Sequence, residues 1–144
     1  DEVLTELPEL SEHLHSNELT SSQKTLYLAQ LRRMQEMLAG ASADEIKHHK
    51  IEILAGLTRL RQICNTPALF LEDYTGDSGK MDSLFELLDT IRKKESRPLI
   101  FSQFTSMLDL IEQELEKKGL SHFKITGQTP SDKRQEMVNL FNQG

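Results

Sequence analysis

The sequence contains little cysteine, proline or tryptophan: it has one cysteine, four prolines and no tryptophan among 144 residues. The single thiol, Cys64, excludes an internal disulfide framework and fits a reducing compartment. No apolar run approaches the roughly 20 residues that a membrane helix needs. The N-terminus has neither the basic and apolar regions of a signal peptide nor an initiator methionine, so we expect a piece of a longer protein.

Positive charge is also scarce, because the formal net charge is −6 and the isoelectric point is near 5.4. A free-standing nucleic-acid-binding domain typically carries a basic face, and this balance argues against one. The basic residues cluster, however, at 92–97 and again at Lys124, Lys133 and Arg134. Any DNA site is therefore expected to be local and shared with other parts of the protein. With 37% hydrophobic and 28% charged residues, the chain has the composition of one folded domain or two small subdomains.

Two long amphipathic helices are predicted in the first half. Residues 20–23 form a capping box, apolar residues then recur at helical spacing, and Gly40 ends the helix. A second capping box at 42–45 starts a long helix that continues to Cys64 and is closed by Pro67. The short connection between the two helices predicts an antiparallel hairpin.

The pattern changes after a loop rich in glycine and aspartate at residues 71–79. The apolar run 98–101 is typical of a strand buried on both faces, and 122–126 is a second strand candidate. Helices precede, separate and follow these segments. The first is predicted to have Ser78 as its cap, and the second is predicted to stop at Gly119. The last one is predicted to start with Thr129 as cap and Pro130 at its first position. This order predicts a parallel βαβ unit with a right-handed crossover, in a sheet that two strands leave incomplete.

Ligands of an open parallel sheet bind beyond the carboxyl ends of its strands. Ser102 and Gln103 lie there after the first predicted strand, and Gly127 and Thr129 lie there after the second. Helix N-termini at these places favour an oxyanion or a phosphate, and Arg134, one turn into the last helix, adds a guanidinium that can bind phosphate bidentately. The hydroxyl groups could instead do no more than cap the helices, which is a common role for them, and the residues alone leave both interpretations open.

No catalytic or metal site is predicted. The Ser-Gly-Lys at 78–80 is similar to the tail of a phosphate loop, but no glycine stands five residues before Gly79 and no strand precedes it. The histidines are interpreted as solvated, and no Ser/His/Asp or Cys/His set can be placed.

Four segments, in order, resemble the Swi/Snf (Snf-two) family of helicase-like ATPases. They are a stretch similar to the family's exit from its first lobe (3–8 and 19–27), a helix end similar to its LRQICNHP (57–65), its Ser-Gly-Lys (78–80), and its helicase motif IV (98–105) with the following G-x-T-x-x-x-x-R block (127–134). Thr66 stands where the family usually has histidine.

The resemblance implies an α/β fold, in which a lead-in and helical protrusion (1–77) precede the truncated first part of a RecA-like second lobe (78–144). The implied parent is an ATP-dependent double-stranded-DNA translocase whose ATP and Mg²⁺ site lies elsewhere, so the fragment alone is predicted to be inactive and to hold no cofactor. Its implied partners are double-stranded DNA, the missing first lobe, the rest of the second lobe and a DNA-bound protein complex. The residues implied to contact the DNA backbone are Ser102, Gln103, Gly127, Thr129 and Arg134.

Two other classes of protein stay open at this point. One is a non-catalytic interaction module that combines a helical hairpin with a small α/β unit, and the other is a piece of an RNA helicase. A bacterial cytoplasm is the expected location, with the nucleus as the alternative.

Overall fold

The computed structural model describes residues 9–144, so the family-like stretch at 3–8 lies outside the described residues. Over that range the chain forms six α-helices and one 3₁₀ turn. They are α1 (Ser21–Leu38), α2 (Ala43–His48), α3 (Lys50–Asn65), the 3₁₀ turn (Pro67–Leu69), α4 (Gly79–Arg92), α5 (Thr105–Lys117) and α6 (Ser131–Gln143). None of these described helices has the length and apolar character that crossing a membrane requires.

Helices α1 and α3 form the predicted antiparallel hairpin. The start of α1 lies beside the end of α3, where Gln23 Nε2 donates to the Ile63 carbonyl at 2.8 Å. The later part of α1 meets the middle of α3, because the Met34 side chain lies directly over Gly56. A Cβ atom on residue 56 would stand 2.7 Å from Met34 Sδ, so this close crossing requires glycine unless the methionine moves.

The second long helix is interrupted, which corrects the prediction of one continuous helix up to Cys64. Its capping box is present, since Ser42 Oγ accepts from the Glu45 N–H, but α2 ends at His48. His49 then adopts φ −89° and ψ 13°, outside the helical region, before α3 begins. Helix α3 ends as predicted, because Thr66 has the extended backbone (φ −168°, ψ 138°) that residues preceding proline prefer.

The two predicted strands, 98–101 and 122–126, are not formed, and no β-strand occurs within residues 9–144. A strand is held by a ladder of backbone hydrogen bonds to a neighbour. Within the described part of the chain no such bond joins the two segments, so each lacks a partner and stays irregular. The predicted βαβ unit is therefore not formed in the described residues. The apolar side chains of the two segments remain accessible instead, with Phe101 88% and Phe123 48% exposed.

Local signals still define the helices of the second half. Helix α5 ends in a Schellman motif, in which the Leu120 N–H donates to the Leu115 carbonyl at 2.9 Å and the Gly119 N–H donates to the Glu116 carbonyl at 2.9 Å. Gly119 has φ +65°, the left-handed conformation that this motif uses. Among the described residues the buried apolar side chains are few, three in the hairpin and three in α4 and α5: Met34, Leu60, Ile63, Leu88, Met107 and Ile111.

Candidate nucleic-acid interface

Three helix ends meet at Gln23, whose side chain is completely buried. Its Nε2 donates to the Ile63 carbonyl near the end of α3, and its Oε1 accepts from the N–H of Gly79, the first residue of α4, at 3.2 Å. The same Oε1 closes the α1 capping box by accepting from the Thr20 N–H at 3.1 Å. Gly79 must be glycine here, because a Cβ would stand 2.4 Å from the Glu18 carbonyl oxygen. We call this arrangement the three-helix junction.

Ser78 and Lys80 reinforce the junction. The Ser78 hydroxyl donates to the Asn65 carbonyl and accepts from the Met81 N–H at 3.3 Å, which caps α4 as the sequence predicts. Lys80 Nζ donates to Asn65 Oδ1 at 3.0 Å. The Ser-Gly-Lys segment thus fastens the start of α4 to the end of α3.

A groove of about 600 Å³ opens beside the junction, between α3, the start of α4 and the loop at 101–104. We call it the basic groove, because Arg61 and Lys80 line it together with the polar side chains of Asn65, Ser102 and Gln103. The rest of the lining is Tyr27, Leu57, Leu60, Cys64, Phe101 and Phe104. The guanidinium NH2 of Arg61 donates to Gln103 Oε1 at 3.0 Å, which links the hairpin to the loop across 42 residues of sequence. The structure therefore brings Ser102 and Gln103, two of the predicted DNA-contacting residues, together with two cations that the sequence did not nominate.

The hydroxyl groups near the start of α5 do not provide a helix cap. The N-cap residue is Phe104, and it makes no side-chain capping bond. Ser102 is half-buried, and its Oγ accepts from the Phe104 N–H at 3.2 Å, within the turn that precedes the helix. The cap-only interpretation of Ser102 is therefore wrong, and its hydroxyl hydrogen remains available to donate to a ligand.

The other three predicted residues form a second, separate arrangement around the loop at 126–129. Arg134 Nε donates to the Thr129 carbonyl at 2.8 Å, and its NH2 donates to the carbonyls of Thr126 at 2.9 Å and Gly127 at 3.2 Å. Thr129 Oγ1 accepts from the Thr126 N–H at 2.9 Å and so does not cap α6. The N-cap is Pro130, which corrects the prediction of Thr129 as cap and Pro130 as first helical residue.

The Nε and NH2 donors of Arg134 are thus already bonded to the chain's own carbonyl groups. A bidentate phosphate contact through that edge of the guanidinium is incompatible with this loop conformation. The geometry gives Arg134 a positioning task, since it fixes Gly127 and Thr129 relative to α6. Within the described residues no hydrogen bond joins this loop to Ser102 or Gln103, so the five predicted residues lie in two arrangements.

An ion-pair network holds the segment that was predicted as the second strand. Lys124 Nζ lies 2.9 Å from Asp109 Oδ1 and also contacts Glu112, while His122 Nε2 lies 3.3 Å from Glu112 Oε1. The hydrogen bond from Lys124 lowers the pKa of the Glu112 carboxyl group, and the bond to Glu112 raises the pKa of Lys124. Glu116 adds a carboxylate close enough to share a metal with Glu112 and His122. The Lys124 ammonium already occupies Glu112, however, and a cation would have to displace it.

Sequence reasoning missed Arg61, Asn65 and Lys80, although a signal for them was present. Arg61 and Asn65 belong to the segment 57–65 that carries the family resemblance, and Lys80 belongs to the Ser-Gly-Lys segment. Gln23 was predicted only as a capping residue, because the sequence does not display its contacts to Ile63 and Gly79.

Comparison with known proteins defines the protein class to which the chain belongs. Residues 79–144 match the helicase conserved C-terminal domain. A Caenorhabditis elegans protein, the SWI/SNF-related matrix-associated actin-dependent regulator of chromatin subfamily A containing DEAD/H box 1 homolog, is 42% identical over 109 residues, or 71% of this chain and 11% of its own length. In Saccharomyces cerevisiae, nuclear protein STH1/NPS1 is 32% identical, and DNA repair and recombination protein RAD26 is 31% identical, each over 98% of this chain and over 11% and 14% of its own length.

Residues 79–144 are thus a helicase C-terminal segment, and α1 to α3 precede it in the chain. The chain belongs to the Swi/Snf family of helicase-like proteins. It spans only 11–14% of the length of these three relatives.

Proposed function

We propose that this chain is part of an ATP-dependent translocase or remodeller that moves on double-stranded DNA, and that it contributes contacts to the DNA backbone. The observation that carries the proposal is the match of residues 79–144 to the helicase conserved C-terminal domain. The relatives named above are described as a regulator of chromatin and as a DNA repair and recombination protein, which supports DNA rather than RNA as the substrate.

The proposed division of the chain is a lead-in with a helical protrusion at 1–77 and the first part of a RecA-like lobe at 78–144. The family match begins at Gly79, where the three-helix junction fixes the start of α4, and this supports the boundary. We propose that segments 98–101 and 122–126 become parallel strands when further strands of the same lobe pair with them. Their exposed Phe101 and Phe123 supply apolar surface for such packing.

ATP and Mg²⁺ belong, in this proposal, to the intact protein and not to this chain alone. Phosphoryl transfer needs a phosphate cradle, carboxylates that hold the metal and an arginine that stabilises the transferred group. The best grouped carboxylates among the described residues, Glu112 and Glu116 with His122, do not fit such a metal, because the Lys124 ammonium contacts Glu112. We therefore expect the chain alone to hydrolyse no ATP.

The DNA contacts fall into two groups. Ser102 and Gln103 line the basic groove and can donate to phosphate oxygens. Gly127 and Thr129 lie in the loop that Arg134 braces, so Arg134 holds the loop in place and touches phosphate only where its remaining donors reach.

A nuclear location is part of the proposal and replaces the bacterial cytoplasm expected from the sequence. It rests on relatives from eukaryotes, one of which is described as a nuclear protein. The proposed partners remain double-stranded DNA, the first RecA-like lobe, the rest of the second lobe and a DNA-bound protein complex.

The test compares ATP turnover by this chain and by the longer protein that contains it, each with saturating duplex DNA, duplex RNA or no nucleic acid. We expect background turnover from the chain alone and DNA-stimulated turnover from the longer protein. Stimulation by RNA instead of DNA would identify an RNA helicase. Two results would refute the proposal: turnover by the longer protein that neither DNA nor RNA stimulates, or DNA-dependent turnover by the purified chain alone.

A further inference from the structure

We propose that the basic groove is a phosphodiester-binding site in which Arg61 of α3 and Lys80 of α4 hold the same stretch of DNA backbone. The inference deepens the proposed function and rests on it, because it names two charged residues and a place on the protein for the DNA that the function requires.

The charge of the groove is opposite to the charge of the chain. The chain carries a formal net charge of −6, with 23 acidic and 17 basic side chains other than histidine. The groove nevertheless contains Arg61 and Lys80, and none of the described residues that line it is aspartate or glutamate. Its walls therefore attract an anion, although the molecule as a whole repels one.

The hydrogen bonds inside the groove leave donors for a ligand. Arg61 NH2 donates to Gln103 Oε1 at 3.0 Å, and Lys80 Nζ donates to Asn65 Oδ1 at 3.0 Å. The side-chain amide oxygens of Gln103 and Asn65 thus each accept a hydrogen bond from a cation, and the NH₂ groups of the same two side chains remain as donors. Ser102 Oγ accepts from the Phe104 N–H, which leaves its hydroxyl hydrogen to donate as well. Such a set suits phosphate oxygens, which only accept.

The shape of the groove favours a polymer over a small anion. Arg61, Lys80 and Gln103 are all exposed to solvent, so a ligand reaches them without any rearrangement of the chain. An open groove encloses a free phosphate on too few sides to hold it strongly. A DNA strand can follow the groove and place successive phosphates on the two cations.

The position of the groove gives the binding a structural consequence. Arg61 lies on the helical hairpin, Lys80 begins the helicase C-terminal segment, and Gln103 follows the segment at 98–101. The three-helix junction fixes the first two relative to each other, because Gln23 bonds both Ile63 and Gly79. DNA held in the groove is therefore gripped by both halves of the chain at once.

The test measures binding of a fluorescein-labelled 20-base-pair duplex to this chain by fluorescence anisotropy at low salt, with Arg61→Gln, Lys80→Gln and the double variant. Lys47→Gln is the matched control, since it removes one exposed positive charge from α2, away from the groove lining. We expect each groove variant to weaken binding at least about threefold and to reduce the slope of log K against log salt by about 1. The control should match wild type, and circular dichroism should show all variants folded.

A second measurement locates the contact directly. In ¹H–¹⁵N spectra the side-chain NH₂ signals of Gln103 and Asn65 should shift during titration with the unlabelled duplex, and inorganic phosphate should shift them only at far higher concentration. If Lys47→Gln weakens binding as much as the groove variants do, or if these signals stay still while DNA binds elsewhere, the groove assignment is wrong and the proposed function stands. If neither this chain nor the longer protein binds DNA, both fall. Tighter binding to duplex RNA than to duplex DNA would overturn the choice of DNA.

Discussion

Gln23→Met is the substitution that tests the three-helix junction most sharply. Methionine has nearly the length and volume of glutamine, so it fills the buried site without opening a cavity. It removes every hydrogen bond that the side chain makes, and two of those bonds connect α1 to α3 and α4. The Ile63 carbonyl and the Gly79 N–H then lose their partner at a position where Gln23 is 0% exposed.

The cost follows from those unsatisfied groups. Leaving one buried donor or acceptor without a partner costs about 1–3 kcal/mol. For the carbonyl at residue 63 and the N–H at residue 79 together, we expect a loss of about 3 kcal/mol in the free energy of unfolding. The loss of the capping bond to Thr20 adds about 0.5–1 kcal/mol. Urea titrations followed by far-ultraviolet circular dichroism measure the total.

The matched control for this measurement is Gln35→Met, which introduces the same side chain at an exposed position of the same helix. Native-state hydrogen exchange adds a local readout, because the Gly79 amide should lose protection in Gln23→Met beyond the general loss of stability. Equal midpoints for Gln23→Met and Gln35→Met, or an unchanged Gly79 amide, would show that the junction bonds do not hold α4 to the hairpin.

Three further substitutions test other contacts. Gly56→Ala gains about 1 kcal/mol of helix propensity but forces the flexible Met34 side chain to move, so the two effects should largely cancel in the free energy of unfolding. A double-mutant cycle with Met34→Ala should still give a coupling energy different from zero. Arg134→Lys keeps the charge but loses the planar set of donors that binds the loop carbonyls. Hydrogen exchange of the Thr126 amide should therefore accelerate as much as in Arg134→Ala. Protection equal to that of wild type would show that Arg134 does not hold the loop in place. The lowered pKa of Glu112 means that its ion pair stabilises the fold above the pKa of the unfolded chain and is lost as pH falls through the folded value. Wild type should therefore lose more stability between neutral and acidic pH than Glu112→Gln, and parallel urea midpoints would contradict that expectation.

The parts of the fold that the sequence predicts are those whose signals lie within one helical turn. The capping boxes at 20–23 and 42–45, the Ser78 cap and the Gly119 terminus all involve residues three to five apart. Their hydrogen bonds form wherever the helix forms, so no knowledge of the rest of the molecule is needed.

The strand prediction failed because strands depend on partners distant in sequence, whereas the Thr129 cap and the continuous second helix failed for local reasons. Segments 98–101 and 122–126 have the composition of buried strands, but composition supplies no neighbouring ladder, and the described residues provide none. Thr129 has the residue type of an N-cap, yet its hydroxyl bonds the Thr126 N–H inside the loop. The break between α2 and α3 at His49 could not be predicted, because no proline or glycine lies next to it in the sequence.

The candidate site, too, could be predicted from the sequence only where local patterns mark its residues. Ser102 and Gln103 could be nominated because they follow a recognisable apolar run, and Arg134 because it is a cation near a helix start. The contacts of Arg61 with Gln103 and of Lys80 with Asn65 bridge 42 and 15 residues, and no periodic pattern encodes such a distance. Family motifs marked the right segments without saying which side chains meet.

The junction and the groove are physically one arrangement, and this limits how the two halves of the chain can act. Asn65 gives its carbonyl to Ser78 at the junction and its side-chain oxygen to Lys80 in the groove. Any movement of α4 away from α3 that breaks the first bond also displaces the cation that the second one positions. If DNA holds Arg61 and Lys80 together, it must therefore also favour the closed junction, since a ligand stabilises the state to which it binds more tightly. The buried Gln23 would then connect DNA binding to the angle between the helical hairpin and the helicase segment, although it lies outside the groove lining.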